Sequence, residues 1–143
     1  MAYVPAPVEP ARLVNARRFL MGITTNNSAD VLSLLSPDVE YIVAGRNHLA
    51  GTYHGPVEVH EHVLELFRIT SGAVEILKWV DWLVGLTHVA ALLSAQAQGG
   101  AMIFRNHLLF IIETDQHDLL TRIRLVFEDQ DEADAFFNML TRD

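Results

Sequence analysis

The sequence predicts one α+β domain: a curved antiparallel sheet covered on one face by N-terminal helices, with room for an apolar pocket between them. Three observations predict it. Apolar residues recur at helical spacing in several segments between Ala11 and Phe67. Beyond Gly72 the period changes from 3.6 to 2 and holds over four long segments. Helices gathered ahead of a long meander argue against the alternating pattern of a parallel sheet.

The elements follow in order. Residues 1–10 carry Pro5, Pro7 and Pro10, each without an amide donor, and read as an extended arm before a single domain over residues 11–143. Leu13, Ala16, Leu20 and Ile23 define a first helix, which the Thr24–Ser28 polar cluster ends. Ser28 is placed to cap a second, short helix carrying Val31, Leu32, Leu34 and Leu35, stopped by Pro37. Val39 to Ala44 reads as a strand, and Gly45 to Gly55 as a polar loop. Pro56 suits the first position of a third helix, whose apolar face is Val59, Val63, Leu66 and Phe67. Four strands follow, over Val74–Val84, His88–Gln98, Ala101–Glu113 and Leu119–Phe127. Gly99-Gly100 is expected to be a two-residue hairpin turn. Asp129 with Glu132 forms a capping box for a last helix bearing Ala133, Phe136, Phe137 and Leu140.

Composition narrows the function. The 143 residues suffice for one core of ordinary size, half of them apolar. A net charge of −8 argues against nucleic acid, whose binding rests on Lys and Arg. With no cysteine there is no thiol nucleophile, thiolate metal site or disulfide. The N-terminal stretch lacks the apolar run of a signal peptide, and no stretch approaches the ~20 apolar residues that span a bilayer. A cytoplasmic protein with no membrane or nucleic-acid partner is expected.

A tight Gly99-Gly100 turn fixes the hairpin register. One face then carries Val89, Ala91, Leu93, Ala95 and Ala97 opposite Met102, Phe104, Asn106, Leu108 and Phe110, and is assigned to the interior. The other face holds Leu92, Leu109 and Ile111, more apolar surface than a wet sheet face needs, and points to a homodimer. Asn106 is the polar exception inside. It either bonds to backbone or buried water, or orients a ligand.

Asn47 to Val63, NHLAGTYHGPVEVHEHV, resembles the SnoaL-like polyketide cyclase branch of the nuclear-transport-factor-2-like superfamily. The tail FEDQDEADAFF and the hairpin segment VGLTHVAALLSAQAQGG fall where that branch has its own corresponding motifs. The resemblance spans residues 11 to 140 and implies a cone-shaped α+β barrel, usually a homodimer. It also implies an activity drawn from cyclases, isomerases, dehydratases, epoxide hydrolases and binding proteins. Its catalytic residues carry over poorly. The ketosteroid isomerase base aligns with Val43, its oxyanion-hole tyrosine with Phe19, and its acidic partner near His107 to Leu109. The Trp-Asp pair of the aldol cyclases aligns with Arg124 and Leu125.

The expected function is therefore a cofactor-independent cyclase. It would close rings on a large apolar, polyketide-like intermediate by confinement, as the indane-forming type of cyclase in this branch does. A non-catalytic small-molecule binding module and a proton-transfer isomerase or aldol cyclase are the alternatives. Asn106 and Asp81 are the candidate catalytic residues. Phe19, Tyr41, Tyr53, Trp79, Trp82 and Phe104 are the candidate substrate-binding residues. Trp79 and Trp82, three apart, are expected on opposite strand faces, with Asp81 sharing the face of Trp79. His60 and His62 lie two apart among glutamates, which reads as a solvated helix face with no metal site. His48, Tyr53 and His54 belong to a loop expected either to lie on the surface or to overhang the pocket mouth.

Overall fold

The structure is a computed structural model and describes residues 9–141. All but the last two residues of the expected arm lie outside that range. Four helices and six strands follow in the order α1 (Ala11–Thr25), α2 (Ser28–Ser33), β1 (Leu35–Val43), β2 (Gly51–His54), α3 (Gly55–Thr70), β3 (Val74–Val84), β4 (His88–Gly99), β5 (Met102–Thr114), β6 (Leu120–Phe127) and α4 (Gln130–Leu140). The strands form one open, curved sheet of order β2-β1-β6-β5-β4-β3, and helices pack on its inner face. The α+β class expected from the periodicity holds.

Local chemistry explains most boundaries. Asn26, in the left-handed conformation, ends α1, and its amide bonds back toward Gly22. The cap of α2 is Asn27 rather than Ser28: its side chain accepts from the Asp30 amide at 3.2 Å. Pro56 sits in the first turn of α3, where its missing N–H costs nothing. The Asp129 side chain accepts from the Glu132 amide at 3.0 Å and caps α4.

Four expectations are corrected. Helix α2 stops at Ser33, and Leu35 already begins β1, which is irregular between Leu35 and Glu40 around the donor-less Pro37. The Gly45–Gly55 segment is not all loop, because Gly51–His54 folds back on β1 as β2. The sheet is mixed rather than antiparallel throughout. The chain leaves β1 through α3 before returning, and such a crossover lets β1 run parallel to β6. Finally, Gly99 pairs with Met102, so Gly100 and Ala101 form the hairpin turn. Moving the turn by one residue shifts the register by two. Every side chain therefore keeps its predicted face.

The core lies between the helices and the inner sheet face. Phe19, Val31, Val39, Val59, Ile112 and Ile123 are fully buried there.

Candidate functional site

A cavity of about 90 Å³ lies between the inner face of the sheet and helices α1, α3 and α4. Leu93, Phe104, Phe110 and Leu125 supply its sheet wall, with Leu20 and Leu66 from the helices. Phe127 and Phe137 close the side under α4, where Phe104 stacks on Phe136 at 4.9 Å. Volume sets the scale of occupant. The cavity is nearer the ~150 Å³ that accommodates benzene in an engineered site than the ~300–1,000 Å³ of drug-sized pockets.

Its polar groups fall into two kinds. Thr24, Asn47 and Gln96 reach the cavity, but their hydrogen bonds go to the protein. The Thr24 hydroxyl donates to the Met21 carbonyl at 3.1 Å, and Gln96 bridges Glu75 and Arg105. The Asn47 amide donates to Asp134 at 2.7 Å, and its oxygen accepts from the Leu49 and Ala50 amides. Tyr41 and His62 differ. Both His62 ring nitrogens are buried without a hydrogen-bond partner among the described residues. The ring sits 4.5 Å from Tyr53 and 5.1 Å from Tyr41, centroid to centroid. Burial pushes the His62 pKa down to about 4, and the nearby Leu49 carbonyl offsets this only in part. That carbonyl already accepts from the Tyr53 hydroxyl at 2.7 Å and lies outside good hydrogen-bond geometry for His62. Burial, with Tyr53 beside it, raises the Tyr41 phenol well above its usual range. Both groups are therefore uncharged at neutral pH.

His62 is one of the residues the sequence reading placed wrongly. It is not on the solvated face: with 6 % of its surface exposed, it belongs to the buried stripe Val59, His62, Val63 and Thr70. The spacing was available in the sequence, since position 62 lies three after Val59 and four before Leu66. The neighbouring glutamates obscured it. His60 instead bonds the Ser28 hydroxyl at 2.8 Å, and exposed His48 pairs with Glu65 at 2.9 Å. Bonding from Arg68 holds the Glu65 carboxyl down at about 2. Among the described residues, no group of three or more His, Cys, Asp or Glu is placed to hold a metal.

The candidates named from sequence are partly brought together. Tyr41 and Phe104 line the cavity. Phe19 packs edge-on against Tyr41 at 6.3 Å, one layer behind the wall. Tyr53 buttresses His62 from β2. Trp79 and Trp82 lie outside the lining, and they share one face rather than pointing apart. Strand β3 is bulged between Ile76 and Lys78 and again between Trp79 and Asp81, so its inward positions are 74, 76, 79 and 82. The two indoles meet at 5.1 Å and pack with Leu13 against the edge of the core. The same bulge pairs Asp81 with Leu92 on the outer face, exposed and away from the cavity. Asn106 is buried but turned to the start of α4. Its amide donates to the Asp129 carbonyl at 2.9 Å and its oxygen accepts from the Asp129 N–H at 3.1 Å. Both ends of the side chain are thus committed to backbone.

Neither protein-family models nor curated proteins gave a match to this chain. Solved structures did. A protein of unknown function with a cystatin-like fold from Xanthomonas campestris superposes with TM-score 0.81 at 22% identity, covering 89% of this chain and 98% of its own. An NTF2-like protein from Burkholderia xenovorans LB400 does so with TM-score 0.72 at 20% identity, covering 90% and 95%. The fold is NTF2-like. A third neighbour in shape, TerC co-crystallised with polyporic acid, matches with TM-score 0.75 at 14% identity over 93% of this chain and 100% of its own. At these identities the likeness establishes architecture alone, and function has to be argued from the cavity.

Proposed function

We propose that this chain is a SnoaL-like protein that encloses an apolar small molecule and promotes its ring closure or isomerisation without a cofactor. One observation carries the reading: a mainly apolar cavity between helices and sheet whose wall includes His62 and Tyr41, both uncharged at neutral pH. The walls restrict the substrate's conformations, and a neutral phenol such as that of Tyr41 orients it without charge. The cavity's size supports a compact, ring-forming portion of a polyketide-like intermediate as the occupant rather than an extended chain. That TerC, similar in shape, was co-crystallised with polyporic acid supports a small-molecule ligand for this chain.

Incubation with candidate linear polyketides, with products identified by mass and NMR, tests the reading. Turnover should be nearly flat between pH 6 and 9, because His62 titrates below that window and Tyr41 above it. A bell-shaped profile centred there would transfer the chemistry to a proton-transfer mechanism.

A non-catalytic binding module is the second reading. The placement of Asp81 on the outer face favours it, since the best sequence candidate for a base does not reach the cavity. Tight binding of apolar ligands with no product from any of them would establish it. In either reading the chain pairs with a second copy through the outer sheet face, where Val80, Leu92, Leu109 and Val126 line an apolar groove.

A further inference from the structure

The outer sheet face holds charges that one copy of the chain leaves unmatched. Most ionic groups there have partners: Arg122 faces Glu40 at 3.5 Å, His88 faces Glu113 at 3.1 Å and His107 faces Glu128 at 2.6 Å. Arg124, Lys78 and Asp81 are exposed and form no ion pair among the described residues. One Asp81 oxygen accepts from the Trp82 amide at 2.8 Å, a neutral donor that leaves the charge unmatched. The sheet register sets Arg124 and Asp81 on either side of the apolar centre. Arg124 begins the row Arg124, Ile111, Ala90, Leu83, and Asp81 ends the next row, Val126, Leu109, Leu92, Asp81. Three strand spacings of ~4.8 Å and one two-residue step of ~7 Å separate them, about 16 Å in all, too far to pair within one chain. Midway between them lies the quartet Ile111, Ala90, Leu109 and Leu92.

Resting on the self-pairing reading above, we infer that the second copy docks in one register, with Asp81 of each protomer paired to the partner's Arg124. A two-fold contact sets residue i of one copy against residue j of the other, and j against i. An axis lying in the interface through the quartet, perpendicular to the line joining Arg124 and Asp81, lays each guanidinium over the other copy's carboxylate. The same axis covers the apolar centre with itself, so two ion pairs flank one apolar patch. Lys78 does not fit this arrangement. It shares β3 with Asp81, and a two-fold relating those two would run along the edge strand and leave the quartet uncovered. Arg124 also suits a carboxylate better than a lysine would, because its planar fork donates two parallel hydrogen bonds.

Dimer dissociation constants of the intact chain, measured by sedimentation equilibrium at pH 7, test the register, with thermal unfolding confirming that each variant is folded. Asp81→Arg and Arg124→Asp each set two pairs of like charges in the interface, and each should raise the constant at least about 100-fold. Combining Asp81→Arg with Arg124→Asp restores both pairs with their signs exchanged, and should return the constant to within about tenfold of wild type. Asp81→Arg combined with Lys78→Asp has the same net charge as that double variant and should stay as weak as Asp81→Arg alone. A double reversal no tighter than either single variant would overturn the inference. Rescue by Lys78→Asp in place of Arg124→Asp would do the same, and so would single reversals that leave the constant within about threefold of wild type. A wild type that is monomeric at every concentration removes the self-pairing reading itself, and the inference with it.

Discussion

Acidification from pH 7 to pH 5 should destabilise this protein through one side chain. His62 is buried and its ring nitrogens are unpartnered, so in the folded chain it stays neutral down to about pH 4. In the unfolded chain it takes up a proton near its ordinary value of 6.5. Between the two values the unfolded state binds more protons, so stability falls as pH falls. The loss starts near 6.5 and is complete at about 4. Integrating that difference from pH 7 to pH 5 gives roughly 2 kcal/mol, and about 3 kcal/mol by pH 4. Glu65 and Asp134 also have shifted carboxyls, but both are lowered, so their contributions are lost only as pH falls below the ordinary carboxylate range. The window from 7 to 5 therefore separates the histidine from them. Urea unfolding of wild type and His62→Phe at pH 7, 6 and 5 reads the effect directly. The wild type should lose roughly 2 kcal/mol more than the variant over that range. Parallel curves for the two proteins would refute the assignment of His62 as a buried neutral imidazole.

Three further perturbations test the frame around the cavity. Asn106→Leu removes both hydrogen bonds to the Asp129 backbone and should cost about 1–3 kcal/mol in denaturant unfolding. Toluene affinity, corrected for unfolding, should stay near the wild-type value, because the amide does not face the cavity. Gly45→Ala places a side chain at φ 118° against Gln130 and Asp134 and should lower stability by about 2–4 kcal/mol. Unfolding at the wild-type denaturant midpoint would count against that packing. Leu109→Glu puts a charge into the outer apolar groove and should give a monomer in sedimentation velocity where the wild type sediments as a dimer. A wild type that is already monomeric removes the dimer proposal.

The fold was legible because periodicity survives local errors. The turn fell one residue from its expected place, yet the β4–β5 faces came out right, since a register change of two leaves alternation untouched. The four-residue strand β2 was not legible. Its residues Gly51 to His54 carry little strand signal, and it exists because β1 offers an open edge beside it. The cap at Asn27 rather than Ser28 is an error of one residue between two good capping types, which only geometry separates.

The site was less legible than the fold because its chemistry depends on bulges and burial, which break the rules of spacing. Perfect alternation puts Trp79 and Trp82 on opposite faces, with Asp81 beside Trp79. The bulge between Trp79 and Asp81 reverses that parity, joins the tryptophans and sends the carboxylate outward. On α3 the helical period pointed to His62, while its charged neighbours pointed the other way. Burial follows the side of the helix on which a residue lies rather than the polarity of its neighbours in sequence. These two effects act together on function. A carboxylate facing the cavity would have supplied a base ionised at neutral pH, fit for proton abstraction. An imidazole there, held neutral by burial beside a tyrosine whose phenol is likewise neutral, leaves the wall without a charged group fit for proton abstraction. The proposed chemistry accordingly rests on confinement by the cavity walls rather than on proton transfer.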